Sequence, residues 1–122
     1  MKITKEMVHL AYGIAKKVYI GVLTRNSGKE QIAQVSGMNP GSASDYITVF
    51  LDMLAGKEYH RTINSYATKY YLQNIKEDFG QDAFLKAIDA TDKHTQYYGS
   101  LGRGKLTAIE KIVRDFRKHD RF

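Results

Sequence analysis

Apolar residues in this chain recur almost everywhere at three- and four-residue spacing, and glycines cut the stripes into segments. Met7, Ala11, Ile14 and Val18 form the first stripe, behind Thr4 as N-cap and ahead of Gly21 as stop. No segment alternates convincingly at period two, and no hairpin signal appears. The spacing predicts an all-α fold, a compact bundle of about six helices. At 122 residues the default is a single helical domain, residues 1–122, long enough to bury one core.

Residues 31–54, QIAQVSGMNPGSASDYITVFLDML, carry the sharpest local pattern: a short helix, a turn at Gly37 and a second helix. This is helix-turn-helix spacing. Ile32 and Ala33 point inward, Gly37 takes a left-handed conformation, and Met38 covers the corner. Ala43, Ile47, Phe50 and Leu54 anchor the second helix. In a DNA-binding version, that helix enters the major groove with its N-terminal residues on base edges. Here those residues are Asn39, Ser42, Ser44 and Asp45, followed by Tyr46. Asn and Ser can bond base edges, and a helix N-terminus can hold a phosphate. Against this, the groove helix lacks Arg and Lys, and Asp45 faces phosphate unfavourably. Two core helices joined by a glycine turn account for the same pattern.

The remaining boundaries follow from turn chemistry. Residues 24–28 form a loop with an Asn-Ser-Gly turn, and residues 29–36 form the second helix. Asn39-Pro40-Gly41 are breakers, and Ser42 caps the third helix with Asp45 three residues on. Gly56 stops it, and residues 57–61 connect onward. Thr62 caps a fourth helix with the stripe Ile63, Tyr66, Ala67, Tyr70 and Ile75, ended by Gly80. A fifth helix starts near Gln81 and carries Phe84, Ile88, Thr91 and Tyr98. Gly99, Gly102 and Gly104 form a flexible loop, the only plausible hinge. Beyond it lies a basic terminal helix, residues 103–122, bearing Leu106, Ile109, Val113 and Phe116 and fraying at KHDRF. Such a helix could be an arm that docks on a partner.

Charge is unevenly placed. The formal net charge is +6, with +4 over residues 1–75, −2 over residues 76–102 and +4 over residues 103–122. Basic ends around an acidic middle suit contact with a polyanion; solubility alone accounts for the same total. With no cysteine, disulfides, thiolate metal sites and cysteine nucleophiles are excluded, which is compatible with a cytoplasmic location. No apolar run approaches a membrane span, and Glu6, His9, Lys16 and Lys17 interrupt the N-terminal stretch, so neither a membrane partner nor a signal peptide is expected.

Two further groups could carry binding. In KEYHRTINSYATKYY, residues 57–71, Lys57, His60 and Arg61 precede a helix start, with Thr62 and Asn64 after them. This is the composition of a phosphate pocket at a helix N-terminus. Tyr59 and Tyr66 could stack on bases; the plainer alternative is a capped helix with Tyr66 and Tyr70 in the core. In the terminal helix, Arg103, Lys105, Lys111, Arg114, Arg117, Lys118 and Arg121 are basic, and Lys111, Arg114 and Lys118 share a face. That face suits phosphate, or is solvated with Glu110 pairing to Arg114. Enzyme signatures are missing from the sequence. His9, His60, His94 and His119 are scattered, no metal-binding pair or P-loop appears, and no cofactor is expected. His94, beside Tyr97 and Tyr98, reads as packed, and Asp82, Asp89 and Asp92 read as a solvated acidic patch.

Three runs, MNPGSASDYI (residues 38–47), GKEYHRTINSYATKYYLQNI (56–75) and KHTQYY (93–98), resemble a helical module found beside the nuclease of bacterial HNH-type restriction endonucleases. The resemblance covers residues 4–116, with SASDYI and RTIN its most specific pieces. It implies a DNA-targeting accessory of a restriction or defence system, acting on double-stranded DNA that could be modified, alongside a nuclease domain or subunit. Asn39, Ser42, Ser44, Asp45, Tyr46, Arg61, Thr62 and Asn64 fall in the motif segments. The chain has no HNH motif, so it is expected not to cut DNA by itself. The alternative is a protein-interaction module, such as a homodimer, with no nucleic-acid role.

Overall fold

The computed structural model describes residues 1–119, and within them the fold is all-α: six helices and no strand. They are α1 (Lys5–Tyr19), α2 (Arg25–Ser36), α3 (Pro40–Ala55), α4 (Ser65–Phe79), α5 (Gln81–Ser100) and α6 (Thr107–His119). The chain divides into two compact units, Met1–Leu51 and Asp52–Phe122, with the division falling inside α3. Arg121 of the predicted basic helix lies outside the described residues.

In the first unit, Thr4 caps α1 by accepting the Met7 N–H at 3.2 Å. The buried stripe is Val8, Ala11, Tyr12 and Ala15 with Ile14. Met7 and Val18, expected on it, are only half-buried. The phase shifts because Tyr12 is a core residue, its ring edge-on to Phe50 at 5.3 Å, and a stripe of aliphatic residues alone passes over it. The second helix starts four residues earlier than predicted. Thr24 accepts the Ser27 N–H at 3.1 Å, so the apparent Asn-Ser-Gly turn is the first turn of α2. Gly28 sits there because a Cβ at that position would lie 2.7 Å from the Val18 Cγ2 methyl. Gly37 ends α2 in the left-handed region at φ 78°, as the turn predicted. Met38, Ala43, Ile47 and Phe50 are buried, again as predicted.

Asn39, and not Ser42, opens α3. Its side-chain oxygen accepts the Gly41 N–H at 2.8 Å, and Pro40 takes the first helical position, where its missing N–H costs nothing. The Asn-Pro-Gly run therefore starts a helix instead of breaking one.

The second unit holds α4, α5 and α6 around Tyr59, Ile63, Tyr71, Leu72, Ile75, Phe84, Ile88, Ile109 and Val113. Asn64, two residues beyond Thr62, caps α4 by accepting the Ala67 N–H at 2.7 Å. The buried face also differs from the predicted stripe: Tyr71 is fully buried, Tyr66 is exposed and Tyr70 half-buried. Buried Thr68, Thr91 and Thr95 return their hydroxyls to carbonyls of the preceding turn. Gly99 belongs to α5 and not to a loop.

The terminal helix is no free arm. Ile109 and Val113 are buried, and Phe116 stands edge-on to Phe84 at 5.3 Å. Arg117 spans Asp89 at 2.9 Å and Asp92 at 2.8 Å on α5, which raises its pKa further, chiefly through the Asp92 bond. Asp89 and Asp92 of the acidic patch thus clamp α6 and are not merely solvated.

Candidate nucleic-acid interface

The connector between α3 and α4 is anchored to α5 at several points. Lys93 donates to the Gly56 carbonyl at 3.2 Å, and the Tyr59 hydroxyl donates to Thr91 at 3.2 Å. Tyr59 is 1% exposed and stacks on His94, with centroids 4.3 Å apart. Burial pushes its phenol pKa well above the usual range. It cannot stack on a base.

His94 is fully buried and joins the connector to α5. Nδ1 faces the Tyr59 carbonyl, which can only accept, so Nδ1 carries the proton. Nε2 then accepts from the Thr62 hydroxyl at 3.0 Å. Burial lowers the His94 pKa, more than the Tyr59 carbonyl bond and the Glu58 charge raise it; the His60 charge lowers it further. The neutral ring is what the latch requires. His60 lies outside this latch, stacked on Tyr97 at 3.8 Å and bonded to Glu58 at 2.7 Å.

These anchors bring part of the predicted phosphate site together. Lys57, His60, Arg61, Thr62 and Asn64 are all exposed on the connector. Several of them already have structural duties: His60 pairs with Glu58, the Thr62 hydroxyl serves His94, and the Asn64 carbonyl oxygen caps α4. The stretch 62–65 lines a cavity of about 270 Å³ whose other wall is residues 106–109, the start of α6. Ile63 and Ile109 form its apolar base. Two helix N-termini therefore open onto one cavity. The Glu110 N–H bonds the Leu106 carbonyl at 2.9 Å, which makes Leu106 the N-cap of α6, and a leucine offers no oxygen to the first-turn N–H groups. A cation immediately precedes each of the two lining stretches, Arg61 before Thr62 and Lys105 before Leu106. The α6 half of this arrangement lies outside the sequence expectations, although a leucine at a cap position is a readable signal.

On α6, Lys111 pairs with Asp115 at 2.8 Å and holds that carboxyl below its ordinary pKa. Arg114 and Lys118 are exposed.

In the first unit, the predicted base-reading set is partly used up. Tyr46 is 4% exposed and belongs to the core, because it falls on the same α3 face as Ala43, Ile47 and Phe50; it is removed from the contact set. Ser42 and Asp45 are half-buried, and Asn39 is exposed but its carbonyl oxygen caps its own helix. Arg25, absent from the predicted set, donates to the Ser44 carbonyl at 3.3 Å, to the Ser44 hydroxyl at 3.4 Å and to the Thr48 hydroxyl. A guanidinium thus lies along the part of α3 that sequence alone showed as devoid of Arg and Lys.

Among the described residues no group of His, Asp and Glu side chains could hold a metal ion, and no helix is long and apolar enough to cross a membrane. Comparison with protein families, curated proteins and solved structures finds no match for this chain.

Proposed function

We propose that the chain is a DNA-binding accessory module, non-catalytic by itself, of the kind its motif segments resemble in bacterial restriction systems. The observation that carries this reading is the cavity shared by the N-termini of α4 and α6. First-turn N–H groups and the positive ends of two helix dipoles favour an anion there. Arg61 and Lys105, next in sequence to the two lining stretches, carry formal charge, and Arg114 and Lys118 are exposed on α6. The anion that this cavity suits is a DNA phosphate, a contact that positions the duplex without reading its sequence. Reading of bases, including modified ones, falls to the start of α3, through Ser42 and Arg25.

The test is an anisotropy titration of a labelled duplex at low salt with wild type and the Arg61→Ala/Lys105→Ala double variant. The double variant is expected to bind at least about tenfold more weakly, a modest loss for two phosphate contacts. Equal affinities would remove the cavity from the interface.

A second reading, a homodimer with no nucleic-acid role, draws on Tyr19, Ile20 and Val22, which are 52%, 63% and 65% exposed at the end of α1. A mass that doubles with concentration, together with no duplex binding at low salt, would favour it.

A further inference from the structure

A second cavity in the same unit, about 410 Å³, opens between α4 and α6 and takes no part in the phosphate cradle. Its base is apolar: Ile112 and Phe116 are half-buried, and the Phe116 ring is held by its edge-on contact with Phe84. Its α4 wall carries Lys69, Gln73 and Lys76, spaced four and three residues apart and hence on one face. Lys76 also lies 5.1 Å from the centroid of Phe84, a buried ring outside the lining that supports Phe116 from behind. The acidic residue of the lining is Asp115, and Lys111 already neutralises it at 2.8 Å. The wall as a whole is therefore cationic above an aromatic and aliphatic floor.

We propose that this groove binds an aromatic phosphate of mononucleotide size. The ring lies on Phe116 and Ile112, Gln73 offers its amide to ring heteroatoms, and the phosphate meets Lys69 and Lys76. Volume supports this, since small-molecule sites start at roughly 300 Å³. Length supports it as well. The lining covers residues 69–76 on α4 and 112–119 on α6, about 10 Å of each helix at 1.5 Å per residue, the length of one nucleotide and too short for a docked helix. The nucleotide is either free or an unpaired unit of a DNA strand. Because the free form suffices, the inference survives failure of the duplex-binding reading, and duplex binding survives its failure.

The experiment is a ¹H–¹⁵N NMR titration of the full chain with deoxyadenosine monophosphate, with inorganic phosphate and deoxyadenosine as controls. Saturable shifts are expected at Lys69, Gln73, Lys76, Ile112 and Phe116, with both controls about tenfold weaker because each loses half of the recognition. Lys69→Glu, a change at an exposed residue that leaves the core intact, should weaken the monophosphate by about tenfold without lowering Tm. A short single-stranded oligonucleotide that displaces the monophosphate identifies the strand as the source; monophosphate binding that the oligonucleotide leaves untouched identifies the free nucleotide. Shifts that do not saturate, that fall outside the groove, or that Lys69→Glu leaves unchanged would overturn the proposal.

Discussion

His94→Ala should unlatch the α3–α4 connector, and its cost should depend on pH in a definite direction. The ring is fully buried, stacks on Tyr59 at 4.3 Å and holds the Tyr59 carbonyl and the Thr62 hydroxyl. Loss of the stacking removes about 1 kcal/mol, and loss of two hydrogen bonds removes about 1 kcal/mol each. The sum, about 3 kcal/mol, corresponds to a fall in Tm of about 10 °C for a chain of this size. The sign of the pH effect follows from the lowered pKa of His94. Above the unfolded value of about 6.5, both states hold a neutral ring and the latch contributes fully. As pH falls below about 6.5, the unfolded chain takes up a proton that the folded chain resists, and the contribution declines until pH passes the folded value. The stability gap between wild type and His94→Ala, measured by urea denaturation, should therefore be widest near about pH 7.5 and shrink towards about pH 5. A gap that stays constant or grows on acidification would refute the neutral-ring latch.

Gly28→Ala gains about 1 kcal/mol of helix propensity but sets a Cβ 2.7 Å from Val18 and 3.2 Å from Ile14. Overpacking of about 1–3 kcal/mol outweighs the gain because Val18 and Ile14 are β-branched and stiff, so a lower Tm is expected; a higher one would mean α1 and α2 separate easily. Arg117→Ala removes a half-exposed clamp on Asp89 and Asp92 and should cost about 1 kcal/mol or less, with a smaller loss at high salt. Asn64→Ala should cost about 1 kcal/mol of thermal stability by leaving the Ala67 N–H uncapped, and Asn64→Asp should restore most of it.

Fold class was legible because helical period and glycine stops are local signals. The places where the structure departs from the pattern share one cause: polar residues with two uses. Thr24 and Asn39 are turn or loop formers by composition and caps in fact, and Asn64 takes the cap expected of Thr62, so each of these helix starts lies two to four residues from its predicted place. On α4, Tyr71 and not Tyr66 belongs to the core. Tyr12, Tyr46 and Tyr59 show the same ambiguity, since a tyrosine serves a core and a surface equally well by sequence. Long-range partners were invisible. Nothing local joins Arg25 to Ser44, Arg117 to Asp89, or the start of α6 to the start of α4. The connector was legible as a cluster of cations at a helix start, while the buried histidine that organises it read only as a packed residue.

Phosphate binding at the cradle where α4 and α6 begin is open to a salt titration on plain and base-modified duplexes. Affinity should fall steeply with salt, with a log–log slope smaller by about one when Arg61 is replaced by alanine. Absence of duplex binding at low salt, or a slope that Arg61→Ala leaves unchanged, would contradict it.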